Sequence, residues 1–302
     1  MVDIEKIEEY KRQIILTETR HPDVQACLLY AVKGGKNLRT QIALGVLNTE
    51  ILKSGLNLSE KCNHLLVKAC FYPELIHVAS LILDDCPHMD NDNNRRGLPS
   101  VHMKFGLAMA QLCSFILIEV AHKIISDVVK ELYQTEKVLT QEGLIATWLE
   151  LDKYKSNFLG ENGLAGGQLY DLYFLKNVQG KNENLSQYFK MIEFKTCRLF
   201  EASFLIPKIL ISSLSESKDN IELYRKIGYH FGMAFQIADD LMDSEEDHNS
   251  NNISNYLNSE EALILAKKHL DVFAQKSQEI NFDSTMLIKT AKLNFINSMT
   301  IH

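Results

Sequence analysis

The chain has 302 residues, 46% of them hydrophobic, with 5 prolines and 14 glycines and no linker-like stretch, so it can bury a large core in one domain. A net charge of −7 and a pI near 5.8 exclude a basic nucleic-acid-binding surface, and no uncharged apolar run reaches membrane-spanning length, the longest candidate, FILIEVA, being broken by Glu119. Apolar residues recur at helical spacing almost throughout, without an alternating strand pattern between turns, which predicts a single all-α domain over 1–302.

The N-terminal stretch MVDIEKIEEYKRQIIL carries charge from its third residue and reads as an amphipathic helix, not a signal peptide. Six cysteines lie mostly among apolar neighbours without metal-ligand spacing, as expected of buried thiols in a reducing cytoplasm. Next comes GGKNLRTQ, residues 34–41. Its glycines permit a tight entry, and Lys36 and Arg39, three apart at a helix start, can point together at an anion. A glycine cap followed by surface charge is an equally good reading of that stretch alone, since the GxxxxGK[ST] spacing of a phosphate loop is absent.

The stretch 71–97, FYPELIHVASLILDDCPHMDNDNNRRG, organises the chain. An apolar helix ends in Asp84, Asp85, Asp90 and Asp92, a density of carboxylates that repels itself unless cations sit between them, and Mg2+ is the expected cation. His77 lies two turns before Asp84 on the same face, about 10 Å away. Pro87 ends the helix and should turn Asp90, Asp92, Arg95 and Arg96 back over its end.

Further helices are expected over about 101–126, 139–151, 163–178 and 184–217, the last bent at Pro207. Two carry polar groups in apolar surroundings: Gln168 and Asp171 in GGQLYDL, and Lys195 and Thr196 in FKTCRLF. A lysine in such a helix is more often a surface residue whose stem snorkels; facing inward, it should meet an anion. A second acidic cluster follows in FQIADDLMD, with Asp239, Asp240 and Asp243; Gln236, Asp240, Asp243 and Asp247 follow one helical stripe. A solvated helix end is the usual meaning of one acidic run. Two such runs, each ending a long apolar helix, instead suit a pair of magnesium-binding faces and a diphosphate substrate, because magnesium prefers a few carboxylates together with phosphate oxygens. No nucleophile with a base beside it stands out, so ionisation of a carbon–oxygen bond with diphosphate as leaving group is the expected chemistry.

These motifs, GGKNLR, IHVASLILDDCPHMDNDNNRRG, GGQLYDL, FKTCRLF and FQIADDLMD, resemble in order and approximate spacing those of the trans-polyprenyl diphosphate synthases, the polyprenyl synthetase family, over essentially the whole chain. The resemblance implies a single-domain bundle of largely antiparallel helices around a deep central cavity, usually a homodimer. It also implies transfer of an allylic group (dimethylallyl, geranyl or farnesyl diphosphate) to isopentenyl diphosphate, with release of pyrophosphate. By the same resemblance, Asp84, Asp85, Asp90, Asp239, Asp240 and Asp243 hold magnesium on the allylic diphosphate, with Arg95 joining the grip. Lys36, Arg39, His77 and Arg96 hold isopentenyl diphosphate. Lys195, Thr196, Gln236 and Gln168 line the space where the carbocation forms, and the departing pyrophosphate removes the final proton.

The sequence departs from the family pattern at several places. No lysine follows Asp243 until Lys267, Asn37 and Thr40 replace an arginine and a proline, Leu83 replaces a common histidine, and Ser114-Phe115 stands where glycine-aspartate is frequent. In the family, an aromatic five residues before the first aspartate tends to stop growth at fifteen carbons. Here Ala79 and Ser80 leave that floor open and put Ile76 or Tyr72 next, which implies geranylgeranyl diphosphate; Phe115 is the alternative plug and farnesyl diphosphate the alternative product. A terpene cyclase is disfavoured because its second motif would read (N/D)DxxSxxxE, and a silent partner subunit because both aspartate triads are intact.

Overall fold

The computed structural model describes residues 4–136, 140–174, 181–215, 220–243 and 251–291. The chain forms two compact units, residues 1–149 with 206–218 and residues 150–205 with 219–302, the division falling within two of its helices.

The first unit holds α1 (Ile4–Glu18), α2 (Pro22–Val32), α3 (Leu38–Ser54), α4 (Glu60–Ala69), α5 (Tyr72–Asp84), α6 (Val101–Phe105), α7 (Leu107–Glu136) and the start of α8 (Gln141–Leu159). Local chemistry sets several of these ends. Pro22 opens α2 behind a His21 cap, Ser59 caps α4, and α3 stops where Gly55 turns left-handed. The helix expected over 101–126 is two helices, because Gly106 adopts φ +89 between α6 and α7, and α7 runs on to Glu136. α5 is the central helix of this unit. Its Tyr72, Leu75, Ile76, Val78, Ala79 and Ile82 are buried, and it packs on α7, α3 and α2.

α4 and α5 together, Glu60–Asp84, are long and apolar enough to cross a membrane (mean hydropathy 1.5), yet 72% of that window is buried within the protein, which makes it a core segment. It contains Lys61, Lys68 and Glu74, so an uncharged run is not what gives it this character. Beyond α5, Asn94–Arg95 pairs antiparallel with Leu98–Pro99. Arg96 (φ +55) and Gly97 (φ +74) make the two-residue turn, both left-handed as a type I′ hairpin requires. Two-residue strands are too short to leave an alternating pattern, so only the fold reveals them.

The second unit holds the rest of α8, then α9 (Leu164–Leu169), α10 (Lys181–Ile192), the first half of α11 (Arg198–Ser215), α12 (Ile221–Asp243) and α13 (Ser259–Glu279). Two π-helical turns interrupt it, Tyr170–Phe174 after α9 and Glu193–Cys197 between α10 and α11. The helix expected over 184–217 is therefore α10, a π turn and α11, with Pro207 inside α11; the expected reach to 178 and 217 lies outside the described residues. α12 packs on α13 and on the second π turn. Glycines admit close approaches on this side of α12: a Cβ at Gly228 would sit 2.6 Å from the Glu201 Cα in α11, and one at Gly232 2.8 Å from the Cys197 Cα in the π turn. Gly228, Gly232, Gln236 and Asp240 form one i, i+4 stripe, so the glycines that admit the close contact also aim the next two polar side chains.

Candidate active site

In the first unit, the end of α5 is arranged as its sequence requires. The Asp90 amide donates to the Asp84 carbonyl at 2.9 Å, folding the loop after Pro87 back over the helix end. Asp84 is half-buried and Asp90 exposed, whereas Asp85 is buried and accepts from the Arg95 guanidinium, with Nε at 2.8 Å. Arg95 also donates to Asp92 at 3.0 Å. Its guanidinium therefore ties two carboxylates of the cluster together, and burial, outweighed by Asp85 and then Asp92 and Asp84, leaves it above its ordinary pKa.

Arg96 turns the other way. Its Nη1 donates to the Lys33 carbonyl at 3.1 Å, and its guanidinium lies so close to Gly35 that a Cβ there would stand 2.7 Å from Nη2. Glycine at 35 is thus required both by φ +88 and by this contact. Burial holds the His77 imidazole well below its usual pKa, with Arg39, Arg96 and Arg95 acting in the same direction, so it is neutral at neutral pH beside three arginines. Burial pulls Arg39 down to about 10 against the opposing Glu74. The expected Arg39, His77 and Arg96 are thus brought together; Lys36 is exposed on the same loop.

In the second unit, the π turn Glu193–Cys197 presents Lys195 and Thr196 in different directions; such turns recur at functional sites. Lys195 Nζ donates to Asp171 Oδ2 at 2.5 Å, which answers the question of what anion an inward lysine meets. Asp171 also accepts from Asn251 Nδ2, at Oδ1 (2.8 Å) and at its own carbonyl (2.7 Å). Thr196 Oγ1 donates to Gln236 Oε1, and Gln236 Nε2 to Asp240 Oδ1, both at 2.7 Å. Gly167 admits α9 to this turn, since a Cβ would lie 2.4 Å from the Lys195 nitrogen. Gln168, one residue on, keeps both amide atoms buried without a hydrogen-bond partner, an orphaned polar group of the kind a bound ligand satisfies.

Asp240 differs from its expected place among the metal ligands. It is buried, and its carboxylate accepts from the Tyr188 hydroxyl, from Gln236 and from the Ile253 amide at 3.0 Å. Burial still pushes its pKa up to about 6 against those donors. It is therefore an anchor for α12, and the half-buried Asp239 beside it is the more accessible carboxylate of that pair. The Asp243 backbone closes α12, and its side chain, like Asp247, lies outside the described residues. Tyr188, Asn251 and Asn252, which donates to the Asp240 carbonyl at 2.7 Å, carried no sequence signal; the Gly228–Gly232 stripe pointing at Gln236 and Asp240 did.

For the chain-length positions, Ile76 and Ala79 are buried and Ser80 is half-buried. The buried Tyr72 ring stacks on His122 of α7, centroids 5.8 Å apart. Phe115 is 59% exposed, which corrects its expected role as a plug beside α5. The α7 residue that meets Ala79 is Ser114, whose hydroxyl donates to the Ala79 carbonyl at 2.8 Å. Adjacent helix positions point about 100° apart, so only one of the two can face α5.

The residues fit magnesium by donor type, since Asp84, Asp90 and Asp239 are hard oxygen donors. No three His, Cys, Asp or Glu side chains converge among the described residues; magnesium is commonly held by one or two carboxylates and by substrate phosphate.

An all-α fold carrying two aspartate-ended helices, a basic glycine loop and a lysine–threonine π turn defines an isoprenoid synthase. The polyprenyl synthetase family profile matches residues 21–254, and the chain belongs to that family. It is 31% identical to a farnesyl diphosphate synthase of Bacillus subtilis over 81% of this chain and 75% of that one. It is 32% identical to a geranylgeranyl diphosphate synthase of Pantoea ananas over 72% of this chain and 63% of that one. An FPP/GFPP synthase structure from Zymomonas mobilis has the same fold, with a TM-score of 0.73 and 26% identity over 97% of this chain and 98% of that one.

Proposed function

We propose that the chain transfers an allylic group to isopentenyl diphosphate and makes geranylgeranyl diphosphate, working as one cytoplasmic domain over 1–302 and as a homodimer. The observation that carries the reading is the pair of aspartate faces at the ends of α5 and α12, in a chain matched by the family over 21–254.

When bound, magnesium neutralises the allylic diphosphate, so that it leaves with the electrons of its carbon–oxygen bond. Asp84 and Asp90 at the end of α5 would offer carboxylate oxygens to magnesium, and so would Asp239 and Asp243 at the end of α12. Arg95, already bridging Asp85 and Asp92, orients the first carboxylate group. Arg39, Arg96 and Lys36 bind the diphosphate of isopentenyl diphosphate. A neutral His77 donates a hydrogen bond there without adding a charge to three crowded arginines. Lys195, fixed by Asp171, donates to the leaving diphosphate, and the Thr196–Gln236–Asp240 chain aligns its dipoles toward developing positive charge, as does the unpartnered Gln168 amide. The alkene of isopentenyl diphosphate then forms the new carbon–carbon bond, and pyrophosphate takes the proton.

The small residues Ala79 and Ser114 at the α5–α7 contact support a twenty-carbon product, with the stacked Tyr72 and His122 two turns deeper as the floor. The test is incubation with labelled isopentenyl diphosphate and each allylic primer, reading product length. Twenty carbons bear the reading out; fifteen make the protein a farnesyl diphosphate synthase, and no product makes it a silent subunit.

A further inference from the structure

α1 buries a row formed by Ile7, Lys11, Ile14 and Ile15, so one member of an apolar stripe is a lysine, 1% exposed. A buried ammonium is costly unless all its hydrogens are used. Here Lys11 Nζ reaches the Val32 carbonyl (2.5 Å), the Gly34 carbonyl (3.1 Å) and Asn37 Oδ1 (2.7 Å), with Glu8 Oε1 at 2.6 Å. Val32 is the last residue of α2, so Lys11 also occupies an otherwise orphaned helix-end carbonyl.

Glu8 completes the arrangement. Its Oε2 accepts from the Gly34 amide at 3.0 Å and its Oε1 from Asn37 Nδ2 at 2.8 Å. Burial pushes this carboxyl up, but Lys11, Gly34 and Asn37 outweigh it and hold it below its usual range. The buried Asn37 amide thus lies between a cation on its oxygen and an anion on its nitrogen, a demand that an aspartate or a lysine cannot meet on both sides. Asn37 is also left-handed (φ +49), as are Gly34 and Gly35, and asparagine is among the few non-glycine residues that tolerate this region.

We propose that Lys11 and Glu8 are positioning residues for the isopentenyl diphosphate loop, setting through Asn37 where Lys36 and Arg39 point. The ion pair on either side of its amide, together with the left-handed backbone, explains why asparagine suits position 37. The inference rests on the reading of GGKNLR as the isopentenyl diphosphate site.

The test measures the Michaelis constants for isopentenyl diphosphate and for the allylic primer, saturated kcat and thermal midpoint, in the full chain with magnesium. Lys11→Met is expected to raise the isopentenyl diphosphate constant about tenfold or more, on the scale of losing charged hydrogen bonds. The allylic constant should stay within about twofold and kcat within about threefold. Asn37→Arg introduced with Lys11→Met should recover most of the loss, because the new guanidinium can meet Glu8 once the lysine charge is gone. Should Lys11→Met fail to fold, Glu8→Gln, at a half-exposed position, is expected to raise the same constant selectively. An unchanged isopentenyl diphosphate constant in a folded variant overturns the proposal. So do parallel changes in both constants with a fall in thermal midpoint, which would mark a purely structural lysine. A wild-type protein that binds no isopentenyl diphosphate overturns the loop assignment itself, and is told apart by appearing before any substitution.

Discussion

Single residues carry unequal shares of the site, and hydrogen bonding separates them. Asp84, Asp90 and Asp239 remain half-buried or exposed at helix ends, whereas Asp240 is enclosed by Tyr188, Gln236 and Ile253. Asp84→Ala or Asp239→Ala should lower turnover by orders of magnitude, about several kcal/mol of transition-state stabilisation. Both effects should appear in steady-state assays at saturating magnesium; near-wild-type turnover in either variant would remove the diphosphate chemistry from these aspartates. Asn251 stands near the place where the family resemblance leads one to expect a lysine, and it holds the Asp171 carboxylate that fixes Lys195. Asn251→Lys adds a cation beside that pair, so the allylic Michaelis constant should fall. An unchanged constant would mean that Lys195 and Asp171 already supply the charge the missing lysine would bring.

At the scale of elements, the packing of α12 on α13 carries a titratable contact that no motif announces. His230 and His269 face each other across it, Nδ1 to Nδ1 at 3.0 Å. Burial holds both near pKa 4; Lys276 and Lys226 add to this for His230, and His230 and Lys268 for His269. Their folded pKa values lie below the unfolded value near 6.5, so the unfolded chain binds more protons between the two. The contribution to stability is therefore present above pH 6.5 and is lost as pH falls toward 4. Urea midpoints taken at pH 7 and pH 5 should decrease on acidification, and His269→Gln should flatten that decrease. Equal pH dependence in the variant would assign the loss to other groups.

The π turns also belong to this scale. Helical periodicity placed Lys195 and Thr196 in a helix, and an inserted residue in that turn lets Lys195 meet Asp171 while Thr196 meets Gln236. Periodicity averages over a dozen residues and cannot register one extra residue, and this is why the interaction partners of both side chains were not legible in the sequence.

For the whole molecule the open quantity is product length. Ala79 is buried and bonded through its carbonyl to Ser114 of α7. If the product has twenty carbons as proposed, Ala79→Tyr should fill the α5–α7 contact and shorten it to fifteen, read by chromatography of labelled products alongside a circular dichroism control. A twenty-carbon product from a folded variant would move the floor elsewhere. Phe115→Ala should leave the length unchanged, because Phe115 points outward; with Leu112 it forms part of an exposed apolar face of α7.

The sequence by itself determined the all-α class, the family, the two aspartate-ended helices and the return of Asp90 over α5. Each of these depends on residues close together in the chain, through helical period, proline and local charge density. Tertiary structure alone decided the roles that depend on distant partners. Lys11 became a brace for residues 32–37, Asp240 an anchor instead of an exposed ligand, and Phe115 an outward-facing residue. The sequence lists what each side chain can donate or accept; only packing determines which donors it meets and how far water is excluded, and a buried carboxylate or lysine acts according to those two conditions.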